Sequence, residues 1–321
     1  MSITENRGGS SDRTGLRAGG SKTSLRSSSK RYGEKLAMGV LIGAAGLSVL
    51  VTVGIFFALL IPSISFFREV PVLDFLTGTR WAPTFNNPDF GVLPLIVGTA
   101  WTTLIGLVIA VPVGLGAAIY LSEYAPNRVR NVLKPILEIL AGIPSVVYGY
   151  FALFYVAPVV LKGWFGLEIG TFSVLSAGLV LGIMIIPTVA SLSEDSMSAV
   201  PQSLRQGSFA LGANKMRTTM RVVFPAAISG ITASIVLALS RAVGETMIVA
   251  LAAGTRAQVT TDPREAAQTM TGFIAQTATG ESVPGSLGYN TLFAVGLLLF
   301  LITLAFNIIA GIIVRRYREV Y

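Results

Sequence analysis

The sequence predicts an all-α integral membrane protein with six transmembrane helices, and three observations lead there. Hydrophobic residues make up 52% of the chain and charged ones only 12%, where an ordinary soluble domain carries roughly a quarter charged residues. Apolar runs long enough to cross about 30 Å of hydrocarbon recur six times. The basic residues gather on alternate connections between those runs, as expected when positive charge sets orientation in a membrane.

Taken in order, residues 1–35 are rich in Ser, Gly, Arg and Lys with almost no large apolar side chains. Such a segment cannot offset the entropy of folding and is expected to be a disordered basic tail. The remainder, 36–321, is one membrane domain. Its first span, Leu36 to Ile61, is too long for the apolar core of a cleavable signal and is expected to stay in the membrane. The second and third spans, Val92 to Leu121 and Val132 to Leu161, carry Pro94, Pro112, Pro144 and Pro158, which predicts kinks, tilt or helix breaks. The fourth runs over Thr171 to Ala190, the fifth over Ala226 to Gly254 and the sixth over Asn290 to Val314.

With the N-terminus in the cytoplasm, eighteen Lys and Arg fall inside and five outside, namely Arg68, Arg80, Lys162, Arg256 and Arg264. The positive-inside rule selects this topology, with both termini cytoplasmic in a multi-pass cell-membrane protein. Two outer connections, Pro62 to Gly91 and Thr255 to Tyr289, are long. They either seat a partner or are tolerated insertions. Gly39/Gly43 and Gly178/Gly182 have the four-residue spacing that lets membrane helices approach closely.

Several function classes are excluded. The chain has no Cys and no His, which removes thiol nucleophiles, imidazole bases and nearly every zinc or haem site, so no catalytic or metal-binding residue is expected. Gly20-Ser-Lys-Thr23 lacks the glycine beside the lysine that a phosphate-binding loop needs. The net charge of +8 flanks apolar segments rather than interleaving with aromatics, so a nucleic-acid partner is not expected.

The inner connection 191–225 is polar, basic and interrupted at Gly212. Its apolar residues Leu204, Phe209, Leu211, Met216 and Met220 suit short helices at the membrane surface, either as a dock for a soluble partner or as a plain amphipathic connector. Within it, Gln206-Gly207-Ser208, then Gly212, then Val222, Phe224 and Pro225 resemble the coupling motif of binding-protein-dependent ABC importer permeases. The family's usual Glu-Ala-Ala is here Gln-Gly-Ser. An acidic contact is lost, and Gly207 weakens the helix by about 1 kcal/mol relative to Ala.

Four further stretches resemble the phosphate-specific transport (Pst) permeases, in particular their PstC-like subunit. They are Phe75-Leu-Thr-Gly-Thr-Arg-Trp81, Ala118-Ile-Tyr-Leu-Ser-Glu-Tyr-Ala-Pro126, Leu140-Ala-Gly-Ile-Pro-Ser-Val-Val-Tyr-Gly149 and Ser240-Arg-Ala-Val-Gly-Glu-Thr-Met247. The resemblance implies a permease subunit that forms half of the pathway of an ATP-driven phosphate importer. It implies a second homologous permease, two ATPase subunits that hold ATP and Mg, and an extracytoplasmic phosphate-binding protein. Gln206, Gly207, Ser208, Gly212 and Pro225 would then couple to the ATPase. The chain itself would be no enzyme and hold no cofactor, and its other contact would be membrane lipid.

The residues of the fifth span point the same way. Arg241 and Glu245 are four residues apart at membrane depth, which on a continuous helix is one turn and one face. Ionisable groups there usually face a bundle interior or aqueous cavity. A guanidinium fork suits a tetrahedral oxyanion, and a carboxylate beside it suits an oxyanion that carries a proton, as hydrogen phosphate does and sulfate does not. The other reading is a structural Arg–Glu pair that neutralises itself. Thr246, Glu138 and Ser145 complete the candidate pathway, Glu138 with the alternative of pairing with Arg128, Arg130 or Lys134. Two functional alternatives stand beside phosphate import: a permease for sulfate or molybdate, and a non-conducting membrane scaffold or sensor.

Overall fold

The computed structural model describes residues 32–83, 85, 87–280 and 283–316. The predicted disordered tail lies outside the described residues except for its last four, which are helical. The chain divides into two units, 1–52 and 53–321. The described part of the first is the beginning of one long helix, α1 (Tyr32–Glu69). Thirty-eight residues make α1 about 57 Å long, well beyond the hydrocarbon core.

In the second unit α1 continues past Pro62 to Glu69, so the first connection starts later than the sequence predicts. It is also built rather than loose. A short α2 (Val72–Thr77) leads into β1 (Trp81–Ala82), which pairs antiparallel with β2 (Asp89–Phe90) in the register Trp81↔Phe90. Edge-to-face aromatic contacts hold this cap together: Phe66 against Phe75 at 5.6 Å, and Trp81 against Phe273 at 4.9 Å. Each such pair adds about 0.5–1.5 kcal/mol beyond area burial.

The second span is α3 (Leu93–Ile119), closed by a π-helical turn at Tyr120–Tyr124. The third predicted span, Val132 to Leu161, is not one helix. Residues 132–142 belong to α4 (Asn127–Gly142), which has charged residues along one side and no buried residue. The chain then breaks at Ile143-Pro144. Pro144 cannot donate an amide hydrogen and disfavours helix at the residue before it. The crossing segment is α5 (Ser145–Phe151) continued by the π-helical stretch Ala152–Trp164.

Packed at the centre is α6 (Val174–Ser198), capped by Ser173, whose hydroxyl accepts from the Ser176 amide. Its buried residues Val180, Leu181, Met184 and Ile185 form the heart of the core. Close approach to α3 depends on glycines. A Cβ added at Gly178 would meet Ile105 Cβ at 2.8 Å, and one at Gly182 would meet the Gly106 carbonyl oxygen at 2.8 Å. At Gly39 and Gly43, in the first unit, an added Cβ meets nothing within 4 Å among the described residues. Gly182→Leu is therefore expected to pry α3 from α6 at a cost of about 2 kcal/mol, read as a lowered unfolding midpoint in detergent, while Gly43→Leu leaves the midpoint unchanged.

Next follow α7 (Gln202–Ala210), α8 (Lys215–Thr218), a π-helical turn at Thr219–Val223 and α9 (Phe224–Ala226). Because α6 extends to Ser198, residues 191–198 belong to the fourth span and not to the connection. The fifth predicted span is broken: α10 (Ile228–Val243) meets the 215–226 segment at 69°, and α11 (Met247–Ala252) follows a gap. α12 (Met270–Thr279) and α13 (Leu287–Arg316) complete the chain. Among the described residues five helices are long and apolar enough to cross a membrane, or six if the bent pair counts as one.

Candidate functional site

α10 stops at Val243, eleven residues before the predicted end of the span at Gly254. Gly244 has the weak helix propensity that permits the stop. Its amide still bonds the Ser240 carbonyl at 3.2 Å, and the Glu245 amide makes only a tightened bond to Ala242 at 3.3 Å. Glu245 then turns its carboxylate onto the start of α11, where Oε1 accepts from the amides of Met247 at 3.1 Å and Ile248 at 3.4 Å. These are two of the four orphan N–H groups at a helix start. Thr271, at the start of α12, donates its hydroxyl to the Glu245 carbonyl at 2.7 Å, and Thr246 donates to Gly244 at 3.3 Å. Three chain ends thus meet at 244–246, where irregular backbone is tolerated if it lines a cavity.

This geometry corrects one expectation. Arg241 and Glu245 do not share a continuous helical face, because the helix ends between them, and no ion pair joins them among the described residues. Instead the exposed Arg241 donates from Nη1 to Thr188 Oγ1 on α6 at 3.0 Å. Its charge has a neutral hydroxyl as partner. Thr188 also lines a cavity of about 250 Å³ between α4 and α6, together with Glu138, Lys134, Ser191 and Glu194. Thr188 therefore connects Arg241 to the cavity that holds Glu138. Ser145 opens α5 after the Pro144 break and does not line that cavity.

Two of the three expected partners of Glu138, Arg130 and Lys134, are taken by another acid. Glu194, fully buried on α6, contacts Arg130 through a very short hydrogen bond and accepts from the Ser198 hydroxyl at 3.1 Å. Lys134 Nζ lies 2.6 Å from its other oxygen, and 3.1 Å from Asp195. The Glu194 carboxylate, more than any other neighbour, holds the Lys134 ammonium above its ordinary range. Glu138 itself is exposed. The sequence reading passed over Glu194, although extending the buried stripe of α6 through Ala190, Ser193 and Met197 reaches it.

The coupling candidates occupy α7 to α9. Gln206 and Gly207 are exposed on α7, whereas Ser208 is half-buried and its hydroxyl pairs with Thr218 Oγ1 at 2.9 Å. Gly212 ends the helix with φ of +81°. The Ala213 amide bonds the Ser208 carbonyl and the Gly212 amide the Phe209 carbonyl, the paired closure that favours glycine at this position. Pro225 sits in the first turn of α9, where its missing N–H costs nothing. Outward, Phe209 is half exposed and Leu211 is 91% exposed.

Residues 110–319 match the family described as binding-protein-dependent transport system inner membrane component. The chain belongs to this family. Among its relatives, the probable ABC transporter permease YqgH of Bacillus subtilis is 38% identical over 74% of this chain and 76% of its own length. The phosphate transport system permease PstC of Mesorhizobium japonicum is 36% identical, covering 76% and 78%, and that of Haemophilus influenzae 33%, covering 77% and 82%. Two solved structures share the fold. They are the inward-facing MetNI methionine ABC transporter (TM-score 0.52, 21% identity, 71% of this chain and 95% of that one) and a bacterial alginate importer (0.56, 14%, 85% and 99%). As a member, the chain is a multi-pass membrane permease subunit, and both the 244–246 break and α7 to α9 fall within the matched segment.

Proposed function

We propose that this chain is one permease half of an ATP-driven phosphate importer. The observation that carries the reading is the state of Arg241: it sits in the last turn of α10 beside irregular backbone, with a hydroxyl and, among the described residues, no carboxylate as its partner. A guanidinium kept unneutralised at such depth is available to an oxyanion. Glu245 uses Oε1 to cap α11, which leaves Oε2 to accept a hydrogen bond. A protonated oxyanion can donate that bond and sulfate cannot. The phosphate transport relatives support the same substrate.

In this reading a second, homologous permease completes the pathway, and an extracytoplasmic phosphate-binding protein delivers the anion to the outer connections. Two ATPase subunits, holding ATP and Mg, dock one on each permease; here the contact is the segment of Gln206, Gly207, Ser208, Gly212 and Pro225, with Gln206, Gly207, Phe209 and Leu211 exposed. Both termini lie in the cytoplasm. Thr246, Glu138 and Ser145 border the route, with Arg241 attracting the anion and Glu245 selecting for its proton.

The test is uptake of labelled phosphate and sulfate into liposomes holding the full complex. The expected result is ATP-dependent phosphate uptake with sulfate excluded. Glu245→Gln keeps the α11 cap, because its amide oxygen still accepts both N–H bonds, but loses the charge. The ratio of phosphate to sulfate uptake is expected to fall about tenfold or more. Unchanged uptake and ratio would sink the filter, while equal movement of both anions by the wild type would favour a general oxyanion permease.

A further inference from the structure

We infer that the buried Arg205–Glu123 pair is a strut that makes α7 move as one body with the inner ends of the second and fourth spans, so that both residues are positioning residues for coupled transport. The inference rests on the reading of α7 as the ATPase dock.

Arg205 lies on α7 and counts in the sequence as one more topology-setting cation, yet it is 6% exposed. Charges that only set orientation stay in water, because a buried guanidinium must recover its lost hydration from partners. Arg205 does so across three segments. Its Nη2 and Nε donate to Glu123 Oε1 at 2.9 and 3.2 Å. Nη2 also donates to the Met197 carbonyl at 2.8 Å, and Nη1 makes a very short bond to the Val200 carbonyl. Met197 is in the last turn of α6, where its carbonyl also accepts the Val200 amide at 3.2 Å, and Val200 lies just beyond it, where the helix dipole favours a cation. Glu123 is in the π-helical turn that closes the second span.

One planar side chain therefore ties α7 to two spans, and the fork allows little rotation without breaking several bonds at once. The neighbours reinforce it. Leu204 packs on the cluster formed by Ala118, Met197, Val200, Val223, Ala227 and Ile231. The inward side of α7 is bolted and the outward side is open. A buried ion pair contributes little net stability against an apolar substitute, and registry between parts is its best-attested use. A push on Gln206 or Leu211 is accordingly delivered to the end of α3 and the end of α6 together, with no slip at the contact.

The chain has no native cysteines, so a covalent replacement of the strut has no competing thiol within this chain, and the wild-type complex treated alike supplies the background from its partners. In the reconstituted complex, Glu123→Cys with Arg205→Cys is expected to retain ATP hydrolysis while phosphate moved per ATP falls about tenfold. Bridging the two thiols with a reversible bis-methanethiosulfonate is expected to restore that ratio, and dithiothreitol to abolish the recovery. Arg205→Lys, which keeps charge and insertion but cannot reach all the acceptors, is expected to lower the ratio without lowering hydrolysis, and covers the case in which the double variant fails to assemble. An unchanged ratio in the variants, or arrest of transport by the bridge, overturns the strut. If the wild-type permease binds no ATPase through α7, it is the docking reading that fails.

Discussion

Arg241→Gln is expected to lower phosphate uptake at least about a hundredfold while leaving the complex assembled. Hydrogen bonds to charged groups contribute about 1.5–3 kcal/mol each, so losing a two-pronged grip on an anion amounts to roughly 3 kcal/mol, or two powers of ten. The fold should hardly register the change. Arg241 is exposed and its one side-chain hydrogen bond among the described residues runs to a hydroxyl, so the stability cost is that of a surface substitution, about 0.5 kcal/mol. Arg241→Lys keeps the charge and loses the fork, which places its uptake between the two. Liposome uptake measured beside detergent unfolding separates these effects. Near-normal uptake by Arg241→Gln would move the pathway elsewhere.

Removing both cations from Glu194, by Arg130→Ala with Lys134→Ala, is expected to give the largest loss of stability, about 3–5 kcal/mol. The carboxylate is fully buried and its cationic partners are these two side chains, which are about one-third exposed. The cost therefore falls on the acid, stranded without its counter-charges, more than on the bases, which reach water. Adding Glu194→Gln to the double variant should recover much of the loss, since a neutral amide needs no counter-charge. The raised Lys134 pKa has a defined sign. A cation whose folded value is raised contributes fully below its ordinary 10.5 and loses that contribution as pH rises through the folded value. The cluster is thus intact at neutral pH. Equal unfolding midpoints for the double and triple variants would show that the burial of Glu194 does not govern the cost.

Much of the architecture was legible because spans are written in local composition. The apolar runs place α3 and α13 to within a few residues and locate α1 and α6, whose C-terminal ends run eight residues further, and Gly178 and Gly182 mark a real contact. Where the reading slipped, a non-local partner had intervened. Residues 132–142 are apolar enough to resemble part of a span, but the Pro144 break and the pull of Glu194 on Arg130 and Lys134 make them a separate helix. The connection 62–91 has turn-forming residues, and it is the packing of Phe66, Phe75, Trp81 and Phe273 that gives it structure.

By itself the sequence determined the membrane setting, the helical class, the family and the segments that matter, because hydropathy and motif spacing are properties of contiguous residues. Only the tertiary structure decided how those segments act. Arg241 and Glu245 are separated by a helix end that Gly244 permits and that Thr271, twenty-six residues on, helps hold. Arg205 and Glu123, eighty-two residues apart, read as unrelated surface charges until folding buries them together. A buried charge takes whatever counter-charge the packing brings to it, and that choice is made in space and not along the chain.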